Sequence, residues 1–295
     1  MINVSNMTLT YPSKKGVFDL NFTVSKGEVM GYLGPNGAGK TTTIRALLGF
    51  MQPNAGACTI QGLDCFQQAQ AIQQRLGYIP GEITFFDRMN GDEFLQFMHN
   101  MRKTKDHVRQ EYLLDLFELN PKGKIKKFSK GMKQKLGIVT AFMHDPDILI
   151  LDEPTSGLDP LMQLRFVDLI LEEKKRGKTI LMSSHMFEEV EKTCDQVLII
   201  KDGKIIQKSD VSSLKSNQRK GYIIHTQDPH AKPLLEASGY QVSIIQDGQL
   251  EVFITGNETD AFIKTISQFS LADLSIKTQT LEDIFMQYYE RKEVL

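Results

Sequence analysis

No stretch of the 295-residue chain approaches the ~20 consecutive apolar residues needed to cross a bilayer. Any membrane pathway that the chain serves must therefore lie in another polypeptide. Cysteine is scarce: Cys58, Cys65 and Cys194 form no CxxC pair and have no metal-ligand spacing. This excludes a disulfide framework and a zinc site, and reads as ordinary thiols in a reducing cytoplasm. Surplus charge of either sign is also missing, with Lys+Arg 35 against Asp+Glu 36 and a formal net charge of −1. That balance argues against a generic nucleic-acid binder, so no nucleic-acid partner is expected. The opening Met1-Ile-Asn-Val-Ser-Asn6 lacks the basic start and apolar core of a secretory signal, and none is expected. There is no internal repeat and no low-complexity stretch.

The most informative residues are 34–41, Gly-Pro-Asn-Gly-Ala-Gly-Lys-Thr, which fit the phosphate-binding pattern G-x-x-x-x-G-K-[ST] without a gap. Gly34, Gly37 and Gly39 let the loop Gly34, Pro35, Asn36, Gly37, Ala38, Gly39 curl its N–H groups inward around a di- or triphosphate. Lys40 can then reach the β and γ phosphates, and the Thr41 hydroxyl can coordinate Mg²⁺. A buried strand is expected before the loop at residues 28–33. A helix after it, over 42–48 and starting at Thr42, adds the positive end of its dipole. The apolar run Ile148-Leu-Ile-Leu151 reads as a strand of a parallel sheet and ends in Asp152-Glu153-Pro154-Thr155. Asp152 suits the metal, and Glu153 suits orientation or deprotonation of an attacking water.

The longer run Leu149-Ile-Leu-Asp-Glu-Pro-Thr-Ser-Gly-Leu-Asp159 closely resembles the Mg-binding strand and D-loop of ATP-binding cassette (ABC) ATPases. Further matches follow in the family's order. Tyr11 stands where these proteins place an aromatic that stacks on adenine; its other reading is an ordinary strand aromatic. Gly77-Tyr-Ile-Pro80 resembles the lead-in to the Q-loop. Phe128-Ser-Lys-Gly-Met-Lys-Gln-Lys135 resembles the signature motif. His185, after Thr179-Ile-Leu-Met-Ser-Ser184, stands in the place of the switch histidine. The resemblance covers residues 1 to about 210. It implies catalytic roles for Glu153, His185 and Lys40, and a contact of Ser129 and Gly131 with the nucleotide of a second copy. The bland reading of His185 is a satisfied core histidine.

Two departures stand out. The usual Q-loop glutamine is replaced by Gly81, followed by Glu82, which leaves open whether Glu82 takes its part. The signature reads Phe-Ser-Lys-Gly-Met, so its glutamine is Met132. Ser129 still suits a helix cap and Gly131 a close backbone approach. Both variants are similar to those of ABC exporters whose ATPase and membrane subunits are separate chains.

The expected fold is α/β: a P-loop NTPase core with an antiparallel β subdomain and a helical subdomain, plus a small C-terminal α+β module of ferredoxin-like type. The ABC domain is expected over 1–215, with its helical part at about 86–144, and the accessory module over 216–295. Within the helical part, Phe94, Phe97, Met98 and Met101 recur at helical spacing and read as core. Phe85, Phe86 and Met89 read either as core or as a docking groove for a partner's helix. The lysines at 122, 124, 126, 127, 130, 133 and 135 read as a solvated face or a surface for anions. Ser209–Lys220 reads as a linker, and the order βαββαβ is expected from Gly221 to Lys277, with a last helix over 281–289.

The resemblance implies an ATPase subunit that uses ATP and Mg²⁺ and works as a pair. The second member is another copy or a paralogous ATPase subunit, and the partner is an integral membrane subunit, in an exporter. Its place would be cytoplasmic, peripheral at the inner face of the cell membrane. The alternatives are a soluble ABC-type ATPase of DNA repair or translation, and a regulatory nucleotide sensor. The first would need long heptad insertions or a second cassette, and neither occurs here. The second fits poorly with Glu153.

Overall fold

The computed structural model describes residues 1–86, 88–103, 107–216, 220–254 and 258–278. The chain divides after Val211 into two compact units.

The first unit opens with β1 (Ile2–Thr10) and β2 (Gly16–Val24), an antiparallel pair running from Ile2↔Val24 to Thr10↔Gly16. The buried positions of β1 are Ile2 and Val4, then Met7 and Leu9. Parity changes from even to odd because the register shifts between Val4 and Met7, where Asn6 takes φ 47°. The bulge thus keeps the second half of the strand facing the core. Next come β3 (Val29–Leu33), α1 (Lys40–Leu47), β4 (Ala55–Ile60), β5 (Leu63–Asp64), α2 (Ala69–Gln73) and β6 (Leu76–Ile79). One antiparallel sheet has the order β2-β1-β4-β5.

The helical part follows, with α3 (Gly91–Arg102), α4 (Val108–Leu116), a 3-10 turn at Ile125–Lys127 and α5 (Lys130–Phe142). The apolar stripe expected along α3 is only partly core. Phe94, Leu95 and His99 are buried, whereas Phe97 and Met98 are half-buried and Met101 is 67% exposed. The ring of His99 fills the core position because its Nε2 pairs with Gln110 Oε1 at 2.8 Å. Helix α4 ends at Leu116.

The unit continues through β7 (Ile148–Asp152), α6 (Pro160–Lys175), β8 (Thr179–Ser184), α7 (Phe187–Thr193), β9 (Gln196–Lys201) and β10 (Lys204–Asp210). The second sheet has the order β10-β9-β3-β8-β7-β6. Strands β9, β3, β8, β7 and β6 run parallel, with β10 an antiparallel edge. Strands β3, β7 and β8 are buried at every position, and their sequences are accordingly mostly apolar, with the polar residues Asp152, Ser183 and Ser184 at the carboxyl ends of β7 and β8. The hairpin from β9 to β10 turns on Asp202 (φ 48°) and Gly203 (φ 75°), the left-handed pair of a type I′ turn. Asp159 caps α6 by accepting from Met162 N at 3.0 Å, with Pro160 in the first turn.

The expected linker is corrected at this point. Strand β10 runs to Asp210, and α8 (Val211–Ser216) follows directly. An edge strand needs little apolar sequence, so a polar run concealed it. The second unit then contains β11 (Lys220–His225), α9 (Ala231–Ala237), β12 (Val242–Gln246), β13 (Gln249–Ile254), α10 (Thr259–Ile266) and β14 (Asp273–Thr278). Its sheet order is β12-β13-β11-β14, and every pairing is antiparallel. Tyr222, Ile224 and Val252 of the sheet pack with Leu235 of α9 and with Phe262 and Ile266 of α10 in a separate core. This is the ferredoxin-like βαββαβ arrangement. The helix expected over 281–289 lies outside the described residues.

Candidate nucleotide site

Strands β3, β8 and β7 are adjacent and parallel, so their carboxyl ends open on one side of the sheet. Ligands of α/β sheets bind at that side. The loop after β3 is residues 34–39, the segment after β7 begins with Glu153, and the turn after β8 carries His185.

The first loop is shaped by its glycines. Gly37 has φ 82° and Gly39 has φ 114°. A Cβ on Gly39 would also lie 2.6 Å from Val17 Cγ1, and one on Gly34 would lie 2.6 Å from Ile200 O. Only glycine meets both demands at 39. Pro35, Asn36 and Gly37 are exposed at the mouth of the loop, while Ala38 is buried and Thr42 half-buried. Lys40, 5% exposed, opens α1 and folds its chain back under the loop. Its Nζ donates to Gly34 O at 2.6 Å and to Pro35 O at 3.3 Å. The loop is thereby held around a buried cation at the positive end of a helix, an arrangement suited to phosphate.

Asp152 ends β7 and is 1% exposed. Thr41 Oγ1 donates to its Oδ2 at 2.9 Å, and Ser183 Oγ donates to its Oδ1. Strand register brings Ser183 there, since Asp152 pairs with Ser183. Among the described residues no cation pairs with this carboxylate. A buried carboxylate met only by hydroxyls, one of them on the phosphate loop, fits a hard oxygen-seeking cation such as Mg²⁺. Gly81 stands against it, with a Cβ position 3.2 Å from Asp152 Oδ2. Glu82 is exposed. Burial and the charge of Asp152 push the neighbouring Tyr78 phenol up to about 12, opposed by Arg45.

Glu153 takes φ 48°, a left-handed conformation uncommon for this residue type. Its N–H donates to both Ser183 O and Ser183 Oγ at 3.1 Å, which holds that conformation. The carboxylate then lies between two bases: Oε1 is 3.6 Å from Lys40 Nζ, and Oε2 is 3.5 Å from His185 Nδ1. His185 is 59% exposed, so it faces the open side of the site rather than the core.

The Tyr11 hydroxyl is within 3.5 Å of Thr42 Oγ1 and donates to Met51 Sδ at 3.4 Å. A cavity beside the loop is lined by Lys15, Phe18, Asn36, Gly37 and Asp202. Ser129 caps α5 by accepting from Met132 N at 3.2 Å. The nearest atom to a Cβ on Gly131 is Gly157 O, at 3.0 Å. Ser129 and Gly131 thus form a second helix start beside the 155–158 segment. Lys40, Thr41, Asp152, Glu153 and His185 form one group.

Sequence reasoning overlooked Ser183 and Gln134. Gln134, buried in α5, donates to Pro154 O at 2.6 Å and ties the signature helix to the segment after Glu153. Ser183 gains its role only through strand register, which pairs it with Asp152. Nothing local marks Gln134.

A family model described as ABC transporter matches residues 17–156. The ABC transporter ATP-binding protein NatA of Bacillus subtilis (strain 168) is 38% identical over 74% of this chain and 93% of its own length. The bacitracin transport ATP-binding protein BcrA of Bacillus licheniformis is 34% identical over 94% of this chain and 96% of its own. A solved ATP-binding subunit of an ABC transporter superposes with TM-score 0.67 at 31% identity, over 73% of this chain and 92% of that one. With a phosphate loop, a strand-end acid pair and a relative of this identity aligned over most of both chains, the chain belongs to the ABC transporter family as an ATP-binding subunit, an ABC ATPase.

Proposed function

We propose that the chain hydrolyses ATP within a closed pair of such subunits, and that closure drives a separate membrane subunit of an exporter at the cytoplasmic face of the membrane. The observation that carries this is the placement of Glu153 between Lys40 and His185, next to the Thr41–Asp152 pair. Lys40 and the N–H groups of residues 34–42 hold the phosphates of ATP. Tyr11 offers its ring to the adenine. Thr41 and Asp152 hold Mg²⁺, which when bound offsets phosphate charge. Glu153 orients the attacking water and takes its proton, and His185 steadies Glu153 from the open side. Ser129 and Gly131, by likeness to the family, face the ATP of the partner copy, with the helix start that Ser129 caps offered to its phosphates.

The membrane partner would dock on the side where Phe50, Tyr78, Met98 and Met101 line a groove that Gln73 and Arg102 also border. Phe50 is 56% exposed and Met101 67%. Export as the direction follows the likeness of the signature and Q-loop variants to those of exporters whose membrane subunits are separate chains. The second unit acts as an accessory module, since the motif residues all lie in the first.

The test is ATP-dependent pairing. Glu153→Gln should bind ATP, turn it over slowly and accumulate as a dimer that sediments at twice the monomer mass. A variant that binds ATP and stays monomeric at every nucleotide concentration contradicts the paired mechanism.

A further inference from the structure

Glu189 lies in α7, one turn beyond His185, and the reading above leaves it without a role. It is 4% exposed. Its Oε2 accepts from Ser184 Oγ at 2.7 Å and from Thr155 Oγ1 at 3.4 Å. Its Oε1 is buried without a hydrogen-bond partner among the described residues. Burial raises its carboxyl above the ordinary carboxylate range, opposed by the two hydroxyls and by His185. Burying such a group is costly, and an apolar side chain would fill the space more cheaply. What the carboxyl adds is an acceptor that reaches two separate segments.

Those segments are the two that carry the groups around the γ-phosphate position. Thr155 follows Glu153 by two residues. Ser184 precedes His185, and its Oγ also accepts from Met186 N at 2.9 Å, which closes the turn that presents His185. Thr155 Oγ1 and Met186 Sδ lie 3.9 Å apart across the same junction. One carboxyl oxygen therefore fastens the His185 turn to the Glu153 segment.

We infer that Glu189 is a positioning residue for hydrolysis: it holds the His185 turn against the Glu153 segment, setting their separation without touching nucleotide. The inference rests on reading Glu153 and His185 as hydrolytic groups. Its consequence is a rate effect without a binding effect. Small misplacement of a catalytic group by a remote change costs ~10²-fold in rate, whereas the phosphate contacts of Lys40 and residues 34–42 do not involve Glu189.

The experiment measures kcat and ATP affinity for the full-length chain and for Glu189→Ala, Glu189→Gln and Glu153→Gln. Glu189→Ala should lower kcat by ~10²-fold with affinity unchanged. Glu189→Gln keeps a carbonyl oxygen for the two hydroxyls and should recover most of the rate. Glu189→Ala at the wild-type rate overturns the inference, as does equal loss in both Glu189 variants or parallel loss of affinity. Should Glu189→Ala fail to fold, Thr155→Val removes one of the two hydroxyls at nearly constant volume. It should slow turnover at unchanged affinity, and a wild-type rate there overturns the inference. Glu153→Gln separates the two levels. If it hydrolyses ATP normally, the hydrolytic reading falls, and this inference with it. If it is slow while Glu189→Ala is fast, only the positioning role falls.

Discussion

The Thr41 hydroxyl donates to Asp152 Oδ2 at 2.9 Å and joins the first turn of α1 to the end of β7 across 111 residues of sequence. The bond matters because Asp152 is 1% exposed and has no cation partner among the described residues. A carboxylate buried in that way is poised for a cation, and the hydroxyl beside it belongs to the phosphate loop. Nucleotide and metal would therefore meet at one point, with Glu153 next in the chain.

Lys40→Ala should abolish ATP binding. The ammonium is the cation within a loop otherwise made of neutral N–H donors, and charge-assisted contacts to phosphate are the strong ones. Titration with a fluorescent ATP analogue reads this directly. Wild-type affinity in the variant would remove the phosphate loop from the account.

Ser129→Arg should leave ATP binding by the monomer nearly unchanged and abolish hydrolysis. Ser129 is exposed, so the fold tolerates the larger side chain at the cost of the α5 cap, and in the proposed pair that side chain projects toward the partner's nucleotide. Mixing with Lys40→Ala should restore little activity. A mixed pair has one site lacking both groups and one site intact. Hydrolysis by Ser129→Arg at the wild-type rate contradicts a site shared between copies.

His144 supplies a test of the fold rather than of the chemistry. Its Nε2 lies 3.2 Å from Leu76 O, and burial, with the charge of Arg102, lowers it to about 4, against weaker opposing effects of Leu76 O, Thr140 O and Asp145. In the unfolded chain it titrates at its ordinary value near 6.5. The unfolded state therefore binds the extra proton first, and stability is lost as pH falls from about 6.5 toward 4, by ~1.4 kcal/mol per pH unit. Above that window the group has no effect. Urea unfolding followed by circular dichroism should show this slope in the wild type and a shallower one in His144→Gln. An unchanged difference between the two proteins at every pH contradicts the assignment.

The parts that could be read from sequence were those written into contiguous patterns. Residues 34–41 specify a loop by where glycine is required, and Ile148–Asp152 specifies a buried parallel strand with an acid at its end. Those patterns sufficed to group Lys40, Thr41, Asp152 and the adjoining Glu153, because adjacent parallel strands bring their ends together, whereas His185 was found through the family resemblance. Ser183, Gln134 and Glu189 were not legible. Each acts through a partner 20 or more residues away or through strand register, which no local pattern encodes: Ser183 through its pairing with Asp152, Gln134 through Pro154 O, Glu189 through Thr155. The α3 face was misread for a similar reason. Helical spacing marks an apolar stripe, but the partner Gln110 lets His99 take the core position and leaves Met101 outside. The polar residues 209–216 concealed the end of an edge strand and a short helix.

Release of inorganic phosphate from ATP by the purified wild type and by Glu153→Gln tests the central claim most directly. The account predicts steady turnover by the wild type, and a rate ~10²–10⁴-fold lower in the variant with ATP binding retained, as expected for loss of a positioned general base. Equal rates in the two proteins would contradict it, because the carboxylate set between Lys40 and His185 would then have no part in the chemistry.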